Sequence, residues 1–152
     1  KGRSHILRII RELLEFRPLS FKTNISNALE FLSGILKKKA IVFMLSDFMD
    51  KDYEKTLRIA SKKHDFTGIR VYDPIEKSLP NLGIIPIKDS ETGIVKWVST
   101  FPKKNRELYS KKYRDQVKAF EEIFKKNGAG QISCSVEESY VKKLLGYFKA
   151  RV

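Results

Sequence analysis

The 152-residue sequence is poor in the residues that build redox and transition-metal sites. It has a single cysteine, Cys134, and two histidines, His5 and His64, that are distant from each other and from the cysteine in sequence. One cysteine cannot form an intramolecular disulfide, so a reducing compartment fits the chain best. The histidines match no zinc-ligand spacing, which argues against transition-metal chemistry.

Long apolar stretches are absent as well. The longest clean run, Ala40 to Leu45, has the length of a buried strand, whereas about 18 apolar residues are needed to cross a bilayer. The sequence opens with Lys1-Gly2-Arg3, and no signal peptide follows. We therefore expect a soluble fragment that has lost upstream sequence and forms one domain, because this length supports one core and not two.

Sequence signatures of catalysis are also missing. The chain has no phosphate-binding loop, no nucleophile elbow and no Ser-His-Asp or Cys-His pattern, so we predict that it is not an enzyme. Asp89 and Glu91 could be read as an acid and base pair. Their position just before Gly93 is better explained by a tight turn that is exposed to solvent.

Positive charge is plentiful: 31 Lys and Arg residues against 18 Asp and Glu residues give a formal net charge of +13. Such an excess suits nucleic acid, because clustered cations release counterions from phosphates. The basic pairs are instead spread along the chain, and several fall in the last turn of a predicted helix, where they complement the helix dipole. No nucleic-acid-binding motif accompanies them, so nucleic-acid binding is kept as the alternative function, and contact with an anionic membrane or an acidic partner stays open.

Apolar periodicity predicts alternating helices and strands in the first half of the chain. Helices are predicted at about 4–17, 23–36 and 52–63, and strands at 40–45 and 66–72. The first strand shows no alternation, so we expect both of its faces to be covered. The order is typical of parallel strands joined by helical crossovers, with His64 packed under the sheet.

The alternation of helices and strands is interrupted at the start of the second half of the chain. Residues 83–88 and 94–99 are short β-like runs around Asp89-Ser-Glu-Thr-Gly93. Glycine at the end of such a loop favours a hairpin. We expect this hairpin to project from the main sheet and to present Trp97 to a neighbouring surface.

A long basic helix at 103–126, a strand at 131–135 and a final helix complete the pattern. Ser135 and Glu138 have the spacing of a capping box for the final helix. The residues of that helix that we expect to be buried are Val141, Leu144, Leu145 and Phe148.

Polar residues follow two of the predicted strands, as Ser46-Asp47 and Asp73-Pro74. In open α/β sheets, ligands bind at this carboxyl edge. Structural roles explain such residues equally well: Asp47 could begin a turn, and Thr23 could cap the helix that follows it.

Several motifs occur in one order over nearly the whole chain. They include Thr23-Asn24-Ile25, Ile41-Val-Phe-Met-Leu-Ser-Asp-Phe48, Asp73-Pro-Ile-Glu76 with Leu79-Pro80, and Asp89-Ser-Glu-Thr-Gly93. In this combination they resemble a bacterial family, the domain-of-unknown-function family 58, whose C-terminal region is a von Willebrand factor A-like domain.

The resemblance implies a three-layer α/β/α fold with a mostly parallel sheet, von Willebrand factor A-like and Rossmann-like. Residues 1–152 would form a single partial domain with a hairpin insertion at about 79–100. In such domains a first strand ends in Asp-x-Ser-x-Ser, which occurs nowhere in this sequence. We therefore expect the N-terminal strands to be missing and the strand Ile41 to Leu45 to offer an open edge for self-association.

The resemblance also implies a divalent-cation site. The second of three ligand loops in such domains supplies a threonine, which maps to Thr23, and the third supplies an aspartate, which maps to Asp47. Asn24 stands where an aspartate usually follows the threonine. Oxygen ligands of this kind suit Mg²⁺ in the complete domain, whereas no cofactor is expected in this fragment, which carries two loops of three.

Partners and location follow from the resemblance alone. It implies a protein-interaction module that works with a MoxR-type AAA+ ATPase. It also implies a position on the cytoplasmic side, anchored in the membrane by upstream helices that this sequence does not contain.

Overall fold

Helices and strands alternate along the chain much as the apolar pattern predicts. The computed structural model describes residues 2–18, 22–89 and 91–151. Its elements, in chain order, are α1 (Arg3–Glu15), α2 (Ile25–Ile35), β1 (Ile41–Ser46), α3 (Glu54–Lys63), β2 (Asp65–Tyr72), a 3₁₀ helix (Pro74–Lys77), β3 (Ile84–Lys88), β4 (Val95–Ser99), α4 (Lys103–Lys126), β5 (Gly130–Ser135) and α5 (Tyr140–Lys149).

The main sheet contains β1, β2 and β5 in that spatial order, and both pairings are parallel. Helical crossovers are the standard connection between parallel strands, and α3 and α4 provide them here. The predicted mixed α/β class with a mostly parallel sheet between helices is therefore confirmed. β3 and β4 form a separate antiparallel sheet of two strands, as the turn pattern predicts.

One face of the sheet is tightly covered by α2, α3 and α4. The centre of this core consists of aromatic and aliphatic side chains that are almost fully buried, namely Leu29, Leu57, Phe66, Phe120 and Phe124. Gly68 on the central strand lets α4 approach, since a Cβ atom at that position would overlap the ring of Phe124. His64 is also buried, as predicted, and its Nδ1 accepts a hydrogen bond from the backbone N–H of Ala40 at 3.3 Å.

The opposite face is covered only in part, by α5. Ile69, Ile132 and Cys134 are buried there against Leu144 and Tyr147. β1 lies outside this cover, and its residues that point to this face are exposed, namely Ile41, Phe43 and Leu45. The prediction that both faces of this strand are covered is wrong for the described residues, because they place only one helix on this face and it packs over β5 and β2.

The apolar residues of α5 also differ from the prediction. Leu144 is half-buried, whereas Val141, Leu145 and Phe148 are exposed. The nearest aromatic partner of Phe148 is Phe43, whose ring centre lies 5.9 Å away in an edge-to-face arrangement. These side chains therefore extend the exposed surface of β1 instead of completing a core.

The ends of the helices show which polar residues act as caps. Asn24, and not Thr23, caps α2, because its side chain accepts a hydrogen bond from the backbone of Asn27 at 2.8 Å. Ser135 makes no capping box with Glu138, because α5 starts later, at Tyr140, and Ser135 Oγ accepts from the N–H of Glu137 in a local turn. Gly128, with φ of 66°, follows the end of α4 as predicted.

The hairpin is fixed to the body at its open end. Thr100 is fully buried, and both its backbone N–H and its hydroxyl donate to the carbonyl of Gly83, at 2.7 and 2.8 Å. Arg106 on α4 donates to the carbonyls of Thr100 and Phe101 at 2.6 and 2.7 Å. The direction in which the hairpin projects is therefore set by the first turn of α4.

α1 is amphipathic in sequence but has no buried residue. Its apolar side chains, which include Leu13 and Leu14, are exposed. Within the described ranges, no helix is both long enough and apolar enough to cross a membrane.

Candidate functional site

The carboxyl edge of the sheet carries a loop rich in carboxylates, which we call the acidic loop and define as residues 47–53. Its shape is set by local hydrogen bonds: Ser46 Oγ accepts from the N–H of Phe48, and Asp47 Oδ1 accepts from the N–H of Met49, both at 3.1 Å. Phe48 has a left-handed backbone, with φ of 54°. Such a conformation is costly for a bulky residue, so it requires compensating contacts.

The side chain of Phe48 provides that compensation. It is almost fully buried, and its ring centre lies 4.6 Å from that of Phe120 and 5.1 Å from that of Phe124. The aromatic core therefore holds the backbone of the acidic loop in place. Asp47, next to Phe48, is exposed at the edge.

Asp50 connects the acidic loop to the start of α2. Its Oδ2 accepts from the backbone N–H of Ile25 at 2.8 Å, and its Oδ1 accepts from that of Lys51 at 2.7 Å. An N–H in the first turn of a helix has no intrahelical partner, and a carboxylate there is stabilised by the helix dipole. Asp50 therefore fixes the loop that carries Thr23 beside the loop that carries Asp47.

The tip of the hairpin reaches the same place. Glu91 Oε1 accepts from the backbone N–H of Thr23 at 2.9 Å, while Asp89 closes its own turn by accepting from the N–H groups of Glu91 and Thr92. The turn interpretation of Asp89 is thus correct. For Glu91 it is incomplete, because this carboxylate joins two segments that are 68 residues apart in sequence.

Thr23 and Asp47, the two residues predicted as metal ligands, line one surface cavity of about 300 Å³. The other lining residues are Met49, Asp50, Asp89 and Glu91. Asp47 also forms the turn that was predicted as its structural role, because its side chain accepts from the N–H of Met49. Asp50 and Glu91 were missed as members of this site, because their positions depend on contacts between distant segments and not on a local motif.

Negative charge accumulates along this edge. A neighbouring cavity of about 300 Å³ is lined by Asp47, Met49, Glu76, Tyr109, Lys112, Tyr113 and Gln116. Burial raises the pKa of Glu76, and the carboxylates of Asp47 and Asp73 raise it further, while Arg70 opposes the shift. A positive charge placed here would relieve this repulsion.

Arg70 is the buried cation beneath the edge. Its guanidinium donates to Tyr113 Oη at 3.1 Å and to Ser133 Oγ at 3.3 Å, and it lies 4.3 Å from the centre of the Tyr72 ring. Hydroxyl and ring contacts of this kind compensate a desolvated arginine only partly. Arg70 therefore offsets some of the negative potential around Glu76 from below.

A larger groove of about 620 Å³ lies between the acidic loop and α4. Its apolar lining includes Phe48, Tyr53, Leu108, Phe120 and Ile123, and it shares Met49 and Asp50 with the cavity of Thr23 and Asp47. Burial raises the pKa of Tyr53 to about 12, and the charge of Asp50 adds to the effect, so this hydroxyl stays protonated at neutral pH. The groove is wide enough for a large apolar side chain beside the acidic edge.

The ligand set for a cation at the edge is small. In the part of the chain that the structure describes, no group of three or more His, Cys, Asp or Glu side chains is close enough to hold a metal ion. The cavity of Thr23 and Asp47 offers a hydroxyl and carboxylates, some of which already accept backbone hydrogen bonds. Oxygen atoms of this type suit Mg²⁺, but an octahedral site needs more of them, or water.

Three parallel strands enclosed between helices define the chain as a mixed α/β domain of the three-layer α/β/α type. The family described as "Protein of unknown function DUF58" matches residues 1–119, and the chain belongs to this family. The resemblance to the domain-of-unknown-function family 58 is therefore confirmed.

Curated relatives include mycobacterial proteins that are named only as uncharacterized. Rv1480 of Mycobacterium tuberculosis and Mb1516 of Mycobacterium bovis are each 25% identical over 104 residues, which cover 66% of this chain and 33% of the relative. MAV169 of Mycobacterium avium is 24% identical over 80 residues, or 52% of this chain and 47% of the relative. The chain thus spans about a third of the length of Rv1480 and Mb1516, and no solved structure gives a significant match.

Proposed function

We propose that the chain is part of a von Willebrand factor A-like protein-interaction module that uses a divalent cation, best Mg²⁺, to hold an acidic residue of a partner. The observation that carries this proposal is the common cavity of Thr23 and Asp47 at the carboxyl edge of a parallel sheet. Ligands bind at this edge in open α/β sheets. The raised pKa of Glu76 supports it, because a cation at the edge would stabilise the crowded carboxylates.

The remaining ligands would come from sequence upstream of residue 1. In the proposed complete domain, a strand ending in Asp-x-Ser-x-Ser pairs with β1 and brings its loop next to Asp47. The bare edge of β1 and the exposed side chains of Ile41, Phe43 and Leu45 are what such a strand and its helix would cover. The match covers only 33% of two of the relatives, which leaves room for these elements.

The proposed role is the binding of another protein and not catalysis. The partner would be a MoxR-type AAA+ ATPase, and the complete protein would be anchored in the membrane with this domain on the cytoplasmic side. The groove beside Met49 and Asp50 gives a partner an apolar contact next to its acidic residue.

Calorimetric titration of the full-length protein with Mg²⁺ tests the proposal. We expect saturable binding that Asp47→Asn abolishes, because the variant loses the charge but keeps an oxygen that accepts from the N–H of Met49. Glu121→Gln, on the exposed surface of α4 and outside the groove, is the control and should bind like the unaltered protein. Residues 1–152 alone should give no saturable heat, because two protein ligands are too few for Mg²⁺.

The competing function is nucleic-acid binding through the net charge of +13. It would require oligonucleotide affinity that falls steeply with salt and does not depend on Mg²⁺. Such a result, together with no binding of Mg²⁺ to the full-length protein, would replace the proposed function.

A further inference from the structure

The outer face of the β3–β4 hairpin is an exposed apolar surface. Pairing and alternation place Ile84 and Pro86 of β3 on one face with Val95 and Trp97 of β4. Ile84 is 62% exposed, Val95 51% and Trp97 71%, whereas Ile85, Ile87 and Val98 on the inner face are half-buried. We propose that this outer face lies on an anionic lipid surface, with Trp97 at the interface.

The hairpin cannot bury this face by turning over. Its open end is fixed by the bonds of Thr100 to Gly83 and of Arg106 to the carbonyls of Thr100 and Phe101. Its tip is fixed by the bond between Glu91 and the backbone of Thr23. Both ends therefore hold the apolar side chains outward, and the exposed residues Leu82 and Phe101 extend the surface at the open end.

Lysines flank the apolar surface at both ends. Lys88 lies towards the tip on the outer face, and Lys103 and Lys104 follow at the start of α4, whereas Lys96, opposite Ile87, lies on the inner face. Lysine side chains at a membrane surface place their carbon stems beside apolar groups and their ammonium groups among lipid phosphates. An apolar centre with tryptophan and a basic rim is the composition expected of a surface that rests on anionic lipid.

The nearby carboxylates have partners within the chain. Asp89 accepts two hydrogen bonds from its own turn, Glu91 accepts from Thr23, and Glu107 pairs with Lys103 at 3.5 Å. Only Glu107 neutralises a lysine of the rim in these contacts. Bonds from backbone N–H groups leave Asp89 and Glu91 charged, so the hairpin strands and their turn are neutral overall. The excess of positive charge comes from the start of α4, since residues 82–107 together carry five basic and three acidic side chains.

A lipid surface fits the shape of this face better than a protein partner does. Binding energy between proteins is concentrated in side chains that enter pockets. The cavities described above are not lined by Ile84, Pro86, Val95 or Trp97, although one of them includes the tip residues Asp89 and Glu91. A flat apolar face on a projecting hairpin needs a partner that is deformable and extensive, as a bilayer is. This inference does not depend on the cation site.

Tryptophan fluorescence tests the proposal, because Trp97 is the single tryptophan of the chain. The 152-residue chain would be titrated with vesicles of equal parts phosphatidylglycerol and phosphatidylcholine, and with vesicles of phosphatidylcholine alone. We expect the emission of Trp97 to shift to shorter wavelength and to be quenched by brominated lipid with the anionic vesicles only. Raising the salt concentration should weaken the binding.

Two variants and one control locate the contact by vesicle sedimentation. Trp97→Ser should weaken binding about tenfold or more, since it removes the largest apolar group of the face. Lys88→Ala with Lys104→Ala should weaken it by roughly fivefold per lysine. Lys62→Ala with Lys125→Ala removes the same charge from the distant ends of α3 and α4 and should have a smaller effect.

Two outcomes would overturn the proposal. Unshifted Trp97 emission on vesicles that do bind the chain would mean that another surface makes the contact. Equal binding by Trp97→Ser and the unaltered chain would mean that only the overall charge of the chain drives binding. Either result would favour a protein partner for the hairpin face instead of lipid. Circular dichroism of each variant confirms its fold, which the high exposure of Trp97 favours.

Discussion

Both faces of the main sheet carry apolar side chains, but the two faces differ in packing. On the face under α2, α3 and α4, Phe66, Phe120 and Phe124 are excluded from solvent. On the face under α5, Phe43 and Phe148 touch each other and still remain more than 40% exposed. The difference teaches that apolar alternation identifies a face that can be buried, whereas burial itself depends on which elements are present to cover it.

The largest expected difference between the two faces is the loss of stability when a phenylalanine side chain is truncated. Phe124→Ala should lower the free energy of unfolding by about 3–5 kcal/mol, because it leaves a cavity in a fully packed core. Phe148→Ala should cost about 1 kcal/mol or less, because the residue is already 43% exposed and loses mainly an edge contact with Phe43. Urea denaturation measures both values. Equal losses would show that the second face is better packed than the exposure of its residues indicates.

Glycine substitutions sharpen the comparison. Gly68→Ala should cost about 1–3 kcal/mol, because the added methyl group collides with the ring of Phe124. Gly146→Ala on α5 meets no atom within 4 Å and should stabilise the chain by about 0.5–1 kcal/mol through helix propensity. Thermal unfolding of both variants against the unaltered chain gives the signs. A destabilising Gly146→Ala would mean that α5 packs more closely than described.

The bare edge of β1 gives a prediction about assembly. We expect residues 1–152 to form a dimer or larger species. Among the described residues, the edge of β1 that faces away from β2 has no strand partner, and Ile41–Ser46 carry no charged side chain to discourage another strand. Phe43→Lys should restore a monomer, which light scattering during size-exclusion chromatography would detect. Val71→Lys is the control, because Val71 lies on the same face but on a central strand. A monomeric unaltered chain would remove the edge from consideration as a contact surface.

The smallest expected effect concerns pH and Glu76. Its pKa is raised in the folded chain by burial and by Asp47 and Asp73, so the folded state binds the proton more tightly than the unfolded state. Protonated Glu76 therefore contributes to the free energy of unfolding at pH values below the ordinary pKa of a glutamate. This contribution is lost as pH rises through the raised pKa that Glu76 has in the folded chain. Glu76→Gln should therefore stabilise the chain at neutral pH by roughly a few tenths of a kcal/mol, since partial exposure screens the charges.

Urea denaturation of the unaltered chain and of Glu76→Gln at pH 4 and pH 7 tests this effect. We expect the substitution to raise the free energy of unfolding at pH 7 but not at pH 4. Glu107→Gln, an exposed carboxylate in a pair within one helix, should show no such pH-dependent gain. A larger gain at pH 4 than at pH 7 would contradict the direction of the shift.

The elements that could be predicted from sequence are those with strong local signals. The spacing of Tyr113, Phe120 and Phe124 predicted α4 and its inward side, and the loop ending in Gly93 predicted the hairpin. The burial of His64 followed from the helical spacing that places it in line with the apolar stripe of α3, one residue beyond the end of the helix. In each case, residues close in sequence carried enough information.

Features that depend on distant segments could not be predicted in this way. The bonds of Glu91 to Thr23 and of Asp50 to Ile25 join separate loops, and no periodicity identifies them. The exposure of Val141 and Leu145 was missed because their helical pattern is the same whether or not another element covers them. The sequence therefore located Thr23 and Asp47 through a family resemblance, while the carboxylates around them required the folded chain.

The parallel order of the main sheet also affects how the chain folds. Only 24 residues separate Ile41 from its partner Asp65, whereas 63 separate Thr67 from Gly130. Closing the longer loop costs roughly 0.9 kcal/mol more chain entropy, so we expect the unit of β1, α3 and β2 to form before β5 docks. The hairpin shortens that second loop by bringing Gly83 and Thr100 together early. A segment that lies outside the main sheet can thus speed the arrival of its last strand.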